Sequence, residues 1–233
     1  MKLRQIERWI ERELEFEKFD DVSNNGLQIA REGDDIKVIA FAVDGSVASI
    51  KSAAKAGAQL LVVHHGISWG GGIRRLTGPQ YNVVKAAMDA NIALYAVHLP
   101  LDASLKYGNN REIARLLGLR NLQRAFSYHG NLIGLVGMSS RRVEVKLGNR
   151  SVVLRPRQKV GVCSGGAGEF AVEAKELGCN VFITGEASWG EVIAAQNVNA
   201  NLTCCGHYET ETFGVNALAR AVAKHLGIAV VML

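Results

Sequence analysis

The chain has 233 residues, 48% hydrophobic and 21% charged, a globular composition that excludes a disordered or fibrous protein and suffices for one large domain or two small ones. Its 27 basic and 22 acidic residues leave a net charge of +5, which permits attraction to phosphate-bearing partners without demanding it. No apolar run approaches the roughly 20 residues that span a bilayer, there is no apolar signal region at the N-terminus, and Cys163, Cys179, Cys204 and Cys205 show no CxxC spacing, so a cytoplasmic protein with reduced, buried thiols is expected.

Leu3, Ile6, Ile10 and Leu14 recur at helical spacing among Glu and Arg, which predicts an amphipathic helix over 3–16. Ser23 to Gln28 reads as turn chemistry, and Val38 to Val43 as a strand ending in Asp44-Gly45. A helix over Ser46–Ala56, stopped by Gly57, leads into a second strand, Leu60–Val63, followed by His64 and His65. Such a strand–helix–strand unit implies parallel pairing, with functional loops beyond the strand C-termini. A helical segment over 82–90 and a strand from Ile92 to Val97 come next, and Pro100 is expected to hold its predecessor out of helical geometry, so that His98 and Asp102 bracket a bend. Gly108-Asn109-Asn110 opens a helix ending at Leu117-Gly118, and alternation from Val143 to Leu154 predicts a hairpin about Gly148-Asn149.

From Val160 the first pattern returns. Val160–Gly165 mirrors the strand ending at Asp44-Gly45, and Phe170–Leu177 mirrors the helix over Ser46–Ala56. Ala187-Ser188-Trp189-Gly190 echoes Ile67-Ser68-Trp69-Gly70, His207-x-x-x-Glu211 echoes His98-x-x-x-Asp102, and Gly214-Val215-Asn216 echoes Gly108-Asn109-Asn110. Echoes kept in the same order point to an internal duplication. The expected fold is α/β: two pseudo-symmetric α/β halves with mostly parallel sheets, 1–125 and 126–233, facing a shared metal-binding cleft, with a short hairpin linker at about 141–157.

Adjacent side chains on a strand point to opposite sides. One metal does not easily take both His64 and His65, whereas two metals, or a twisted turn after the strand, can. His207 and Glu211, four apart, share one face if helical. With His64, His65 and Asp102 they supply imidazole and carboxylate donors that suit zinc, iron, manganese or nickel, enough for two divalent ions about 3.5–4 Å apart with positions open to water. His98 is either a further ligand, a group orienting Asp102, or a proton carrier, and Glu186, in the place corresponding to Gly66, is an acid/base candidate. Trp69 and Trp189 are candidates for cleft lining or core, and His129 and His225 for surface or packing. Gly165-Gly166-Ala167-Gly168 is readable as a phosphate cradle or as a tight turn.

His-His-Gly after an apolar strand, His-Leu-Pro-Leu-Asp, Gly-Asn-Asn, Ser-Gly-Gly-Ala-Gly and Gly-His-Tyr-Glu-Thr-Glu, in that order, resemble the NIF-three-like family (Ngg-one-interacting factor three), also called dinuclear metal centre proteins. The resemblance covers nearly the whole chain. It implies two similar α/β halves, a two-metal site with ligands at His64, His65, Asp102, His207 and Glu211, and a ring-shaped homohexamer; many members carry the label GTP cyclohydrolase I type 2 homologue. Longer members insert an extra domain between the halves, where Arg141 to Arg157 offers little more than a hairpin.

The leading expectation is a metal-dependent hydrolase in which a metal-bound hydroxide attacks a nucleotide-like or phosphate-bearing small molecule, with His98 or Glu186 as proton carrier. The alternative is a nucleic-acid or protein binding module with structural metals, because Arg141, Arg142, Lys146, Arg150, Arg155, Arg157 and Lys159 face only Glu144 within one segment. That segment lacks aromatics, so any nucleic-acid binding there would be phosphate-driven. Metal storage or delivery is a third reading. No membrane association is expected.

Overall fold

The computed structural model describes residues 1–233, which fall into two compact units, Met1–Leu101 with Val215–Leu233, and Asp102–Gly214. The first begins with α1 (Leu3–Leu14), whose apolar residues Leu3, Ile6, Trp9, Ile10 and Leu14 are all buried. It continues through β1 (Gly26–Ile29), β2 (Val38–Asp44), α2 (Val47–Lys55), β3 (Leu60–His65), α3 (Gly78–Asp89), β4 (Ala93–Ala96) and the single-turn α4 (Leu99–Asp102). The second contains α5 (Asn109–Leu116), β5 (Leu119–Tyr128), β6 (Asn131–Ser139), β7 (Val143–Leu147), β8 (Arg150–Leu154), β9 (Lys159–Gly166), α6 (Ala171–Glu176), β10 (Val181–Glu186), α7 (Trp189–Asn197) and β11 (Leu202–Cys204). The long helix α8 (His207–Leu226) leads to the last strand, β12 (Ala229–Met232).

The sheet of the first unit has the order β1-β4-β3-β2-β12, parallel except for β1. Its central strands are apolar at nearly every position, the pattern of a sheet covered on both faces. Leu61 and Val63 of β3 pack with Ala40 and Ala42 of β2 and with Ile50 and Ala53 of α2, while Leu60 and Val62, equally buried, point the other way. In the second unit the order is β11-β10-β9-β6-β5, with β9, β10 and β11 parallel and the β5–β6 hairpin antiparallel. The pair β7–β8 forms a separate two-stranded sheet. Val143, Leu147, Val152 and Leu154 from it lie in the same core cluster as Val160, Val162 and Ile183, so the hairpin is part of this unit's core.

The duplication is visible as β2-α2-β3-α3-β4 against β9-α6-β10-α7-β11. The boundary at residue 125 needs correction. After the second repeat, α8 leads to β12, which pairs with β2. After the first, α5 leads to β5, which pairs with β6. Each repeat thus sends its closing strand to the sheet of the other unit, and the chain cannot be divided by one cut.

Two local expectations also change. Leu99, immediately before Pro100, is helical in α4, because proline is tolerated in the first turn of a helix, where its missing N–H has no intrahelical partner. Gly26 to Gln28 belongs to β1 rather than to a turn.

Candidate metal centre

Buried apolar strands deliver the histidines. His64 and His65 are the last residues of β3, and His98 follows β4, the strand paired with it. The ring centroids are 4.7 Å apart for His64 and His65, 5.0 Å for His64 and His98, and 5.8 Å for His65 and His98. Their ligating atoms fall within 4.8 Å of one another, close enough to address one small volume. Alternation along the strand is therefore relaxed where β3 ends.

Each of these imidazoles is held from behind. His64 Nδ1 is 2.9 Å from the Val97 carbonyl oxygen, His65 Nδ1 is 2.8 Å from Asp44 Oδ1, and His98 Nδ1 is 2.8 Å from Asp21 Oδ1. An acceptor at Nδ1 places the proton there and turns the Nε2 lone pair outward, the arrangement by which proteins present imidazole to a metal. Asp21 is itself anchored, accepting from the backbone N–H groups of Ser23 and Leu99 and from Asn25 Nδ2. Burial raises its pKa, but these bonds and the one from His98 outweigh burial, and its carboxyl is held below the ordinary value. His98 thus pairs with Asp21.

In the second unit, the end of β9 is the organising element. Ser164 Oγ and Asn109 Nδ2 each donate to Asp102 Oδ1 at 2.9 Å. One residue on, Gly165 adopts φ +68°, and a Cβ there would overlap Glu211 Oε1. At Gly185 of β10, a Cβ would come within 2.6 Å of the Gly165 carbonyl oxygen and 2.7 Å of Thr210 Oγ1. These glycines let the first turn of α8 settle against the strand ends, and Gly165 N–H donates to Thr210 Oγ1. Of the cluster Gly165-Gly166-Ala167-Gly168, Gly165 is accounted for by this close approach, and Gly168 by Ala187, whose Cβ is 2.4 Å from where a Cβ of residue 168 would stand.

His207 and Glu211 lie one turn apart at the start of α8, with His207 Nε2 3.2 Å from Glu211 Oε1. Glu211 is only 3% exposed. His207 Nδ1 is 2.9 Å from Glu186 Oε1, repeating the pattern of the other three imidazoles. The hydrogen bond with Glu211 outweighs the opposing effect of burial and, with Glu186, raises the His207 pKa to about 9. Glu186 is therefore engaged in orienting an imidazole.

Asp21 and Asp44 escaped the sequence reading. The only available signal for Asp44 was its place at a strand end; Asp21 carried none. Trp69 and Trp189 are not core residues: Trp189 is 75% exposed and Trp69 38%, with the Trp69 ring 5.1 Å from His98 and 6.0 Å from His65. His225 stacks near Trp9 at 5.8 Å, and His129 sits in the turn between β5 and β6 with φ +47°. All four cysteines are free. Burial pushes the Cys205 thiol up to about 11 and the Cys163 thiol further from reactivity.

The sequence profile described as Duf34/NIF3 (NGG1p interacting factor 3) matches residues 1–233. Among curated proteins, a GTP cyclohydrolase 1 type 2 homolog of Deinococcus radiodurans is 39% identical, over 96% of this chain and 89% of its own length. One from Archaeoglobus fulgidus is 38% identical, over 100% and 98%. Among solved structures, the protein ybgI, titled as of unknown function, superposes with a TM-score of 0.86 at 27% identity, covering 100% of this chain and 98% of its own. Reduced HcgD from Methanocaldococcus jannaschii gives 0.81 at 26% identity, with the same coverage.

Proposed function

Because the chain belongs to the Duf34/NIF3 family, we propose that it is a dinuclear metal protein acting as a metal-dependent hydrolase on a nucleotide-like or phosphate-bearing small molecule. His64, His65, Asp102, His207 and Glu211 hold two divalent ions in this reading, drawn from zinc, iron, manganese or nickel. When bound, such a pair supplies Lewis acidity, an acidified water and a clamp for both oxygens of a displaced group.

The observation that carries the proposal is the support behind four imidazoles. Every Nδ1 of His64, His65, His98 and His207 meets an oxygen at 2.8–2.9 Å, which supports Nε2 as the coordinating or proton-carrying atom of each; that of His207 faces Glu211 Oε1, a second proposed ligand, at 3.2 Å. His98 takes the second part: with Asp21 stabilising its charged form, Nε2 can accept or return a proton during hydrolysis. Glu186, engaged by His207, is assigned to positioning that imidazole. The name of these relatives, GTP cyclohydrolase 1 type 2 homolog, supports a purine nucleotide as the first substrate to try. The family resemblance also supports a homohexamer, checked by sedimentation, and a cytoplasmic setting. No helix is long and apolar enough to cross a membrane.

The test is metal content by elemental analysis on protein purified without chelator, followed by a screen of nucleotides and phosphoesters with the metal found. About two equivalents per chain are expected, lost together with turnover in Glu211→Ala. Turnover that survives complete metal removal overturns the reading.

A second reading rests on the exposed basic side chains of the β7–β8 region: Arg141, Arg142, Lys146, Arg150, Arg155 and Arg157 are exposed while alternate residues are buried. A nucleic-acid face of this kind predicts affinity for an oligonucleotide that falls steeply with salt. Affinity unchanged between low and moderate salt excludes it.

A further inference from the structure

Behind the histidine cluster, on the first unit, lies an open pocket of about 530 Å³ lined by Glu11, Phe16, Glu17, Phe19, Asp20, Asp21, Ser23 and Asn25. It carries four carboxylates in a protein whose net charge is +5. Acidic clusters on surfaces need no ligand, so the decisive residue is Ser23. Ser23 is one of the residues lining the pocket, it is 3% exposed, and its hydroxyl oxygen has no hydrogen-bond partner. A buried hydroxyl left without a partner costs free energy that a polar group entering the pocket would recover.

The charges available to such a group can be named. Asp21 is fully committed, its two oxygens accepting from His98, Ser23, Asn25 and Leu99. Glu11 accepts one long bond, 3.4 Å, from the Tyr95 hydroxyl. The nearby ion pairs, Lys18 with Glu15 and Arg12 with Glu13, leave Glu17 and Asp20 uncompensated. The remaining walls are the rings of Phe16 and Phe19. These carboxylates are not among the donor groups that converge within 4.8 Å as the histidines do, and aromatic walls do not suit a bare, hydrated metal ion. They suit a cation with an apolar body, whose charge is attracted to both carboxylate and ring face.

We propose that this pocket binds a small organic amine as its ammonium ion, one N–H donated to Ser23 Oγ, the charge balanced by Glu17 and Asp20, and the carbon chain lying against Phe16 and Phe19. The site involves none of the proposed metal ligands, so it stands or falls independently of the hydrolase reading. It is also adjacent to that centre, because Asp21 and Asn25 form its inner wall and hold the His98 side chain and backbone N–H respectively.

The test is calorimetric titration of the purified full chain with 1,4-diaminobutane, beside n-butanol as a neutral molecule of similar length. Saturable binding of the diamine and none of the alcohol is expected. Ser23→Ala and the double variant Glu17→Gln/Asp20→Asn should each weaken binding about tenfold or more, while Glu176→Gln, which removes a charge from the exposed side of α6, should leave it unchanged. Lack of saturable binding, equal binding of the alcohol, displacement by equimolar Mg²⁺, or equal losses in Glu176→Gln would each overturn the proposal.

Discussion

Asp21, Asp44 and Glu186 are unremarkable carboxylates until their hydrogen bonds are seen. Each fixes a histidine tautomer, so removing one should loosen metal without removing a ligand. Asp44→Ala is expected to weaken metal binding by about 10–100-fold, read by competition with a chelator of known affinity. Gly165→Ala has two faults, a left-handed backbone and a Cβ in the place of Glu211 Oε1, and should cost ~1–3 kcal/mol in denaturant unfolding while displacing the carboxylate.

His207 supplies a pH dependence at the same scale. Its pKa is raised from 6.5 to about 9 in the metal-free protein, first by the hydrogen bond to Glu211. The folded chain therefore binds more protons than the unfolded chain between those values. The contribution is fully present below 6.5 and lost as pH rises through about 9. Denaturant unfolding of metal-free protein from pH 6 upward should show this decline, and His207→Gln should flatten it.

At the scale of elements, the β7–β8 hairpin is the segment most easily misjudged. Its alternation places arginines in solvent and Val143, Leu147, Val152 and Leu154 in the core of the second unit. Leu147, fully buried, should cost ~2–5 kcal/mol when truncated to Ala, whereas Arg150→Ala should change stability by less than ~0.5 kcal/mol. Denaturant curves compared at constant slope separate the two. A hairpin that only linked two halves would tolerate both changes.

At the scale of the whole molecule, metal and stability should be linked. An ion bound only by the native state, at one hundred times its dissociation constant, adds ~2.7 kcal/mol, which for a chain of this size raises the unfolding temperature by about 5 °C or more. Chelator treatment should therefore lower the transition measured by calorimetry, and Glu211→Ala should already unfold at the lower temperature with no further response to chelator.

The sequence by itself determined the pieces whose physics is local. Apolar runs bounded by glycine and proline predicted β2, β3, β4 and β9, helical periodicity predicted α1, the stop at Gly57 marked the end of α2, and the ordered repeat of motifs predicted two α/β halves. That His64, His65, Asp102, His207 and Glu211 carry imidazoles and carboxylates, side chains that suit a divalent ion, is written in the chain, as is the place of the first two at the end of an apolar run. The tertiary structure decided what depends on partners distant in sequence. The strand β5 carries many exposed polar residues and β6 the interior glycines Gly134 and Gly137, and only their mutual pairing and that of β6 with β9 makes them strands. The exchange of β5 and β12 between sheets rests on pairings that no local pattern encodes. Likewise, Asp21 reaches His98 across 77 residues, and Glu186 reaches His207 across 21. A hydrogen bond needs atoms within about 3 Å, and only the folded chain brings them there.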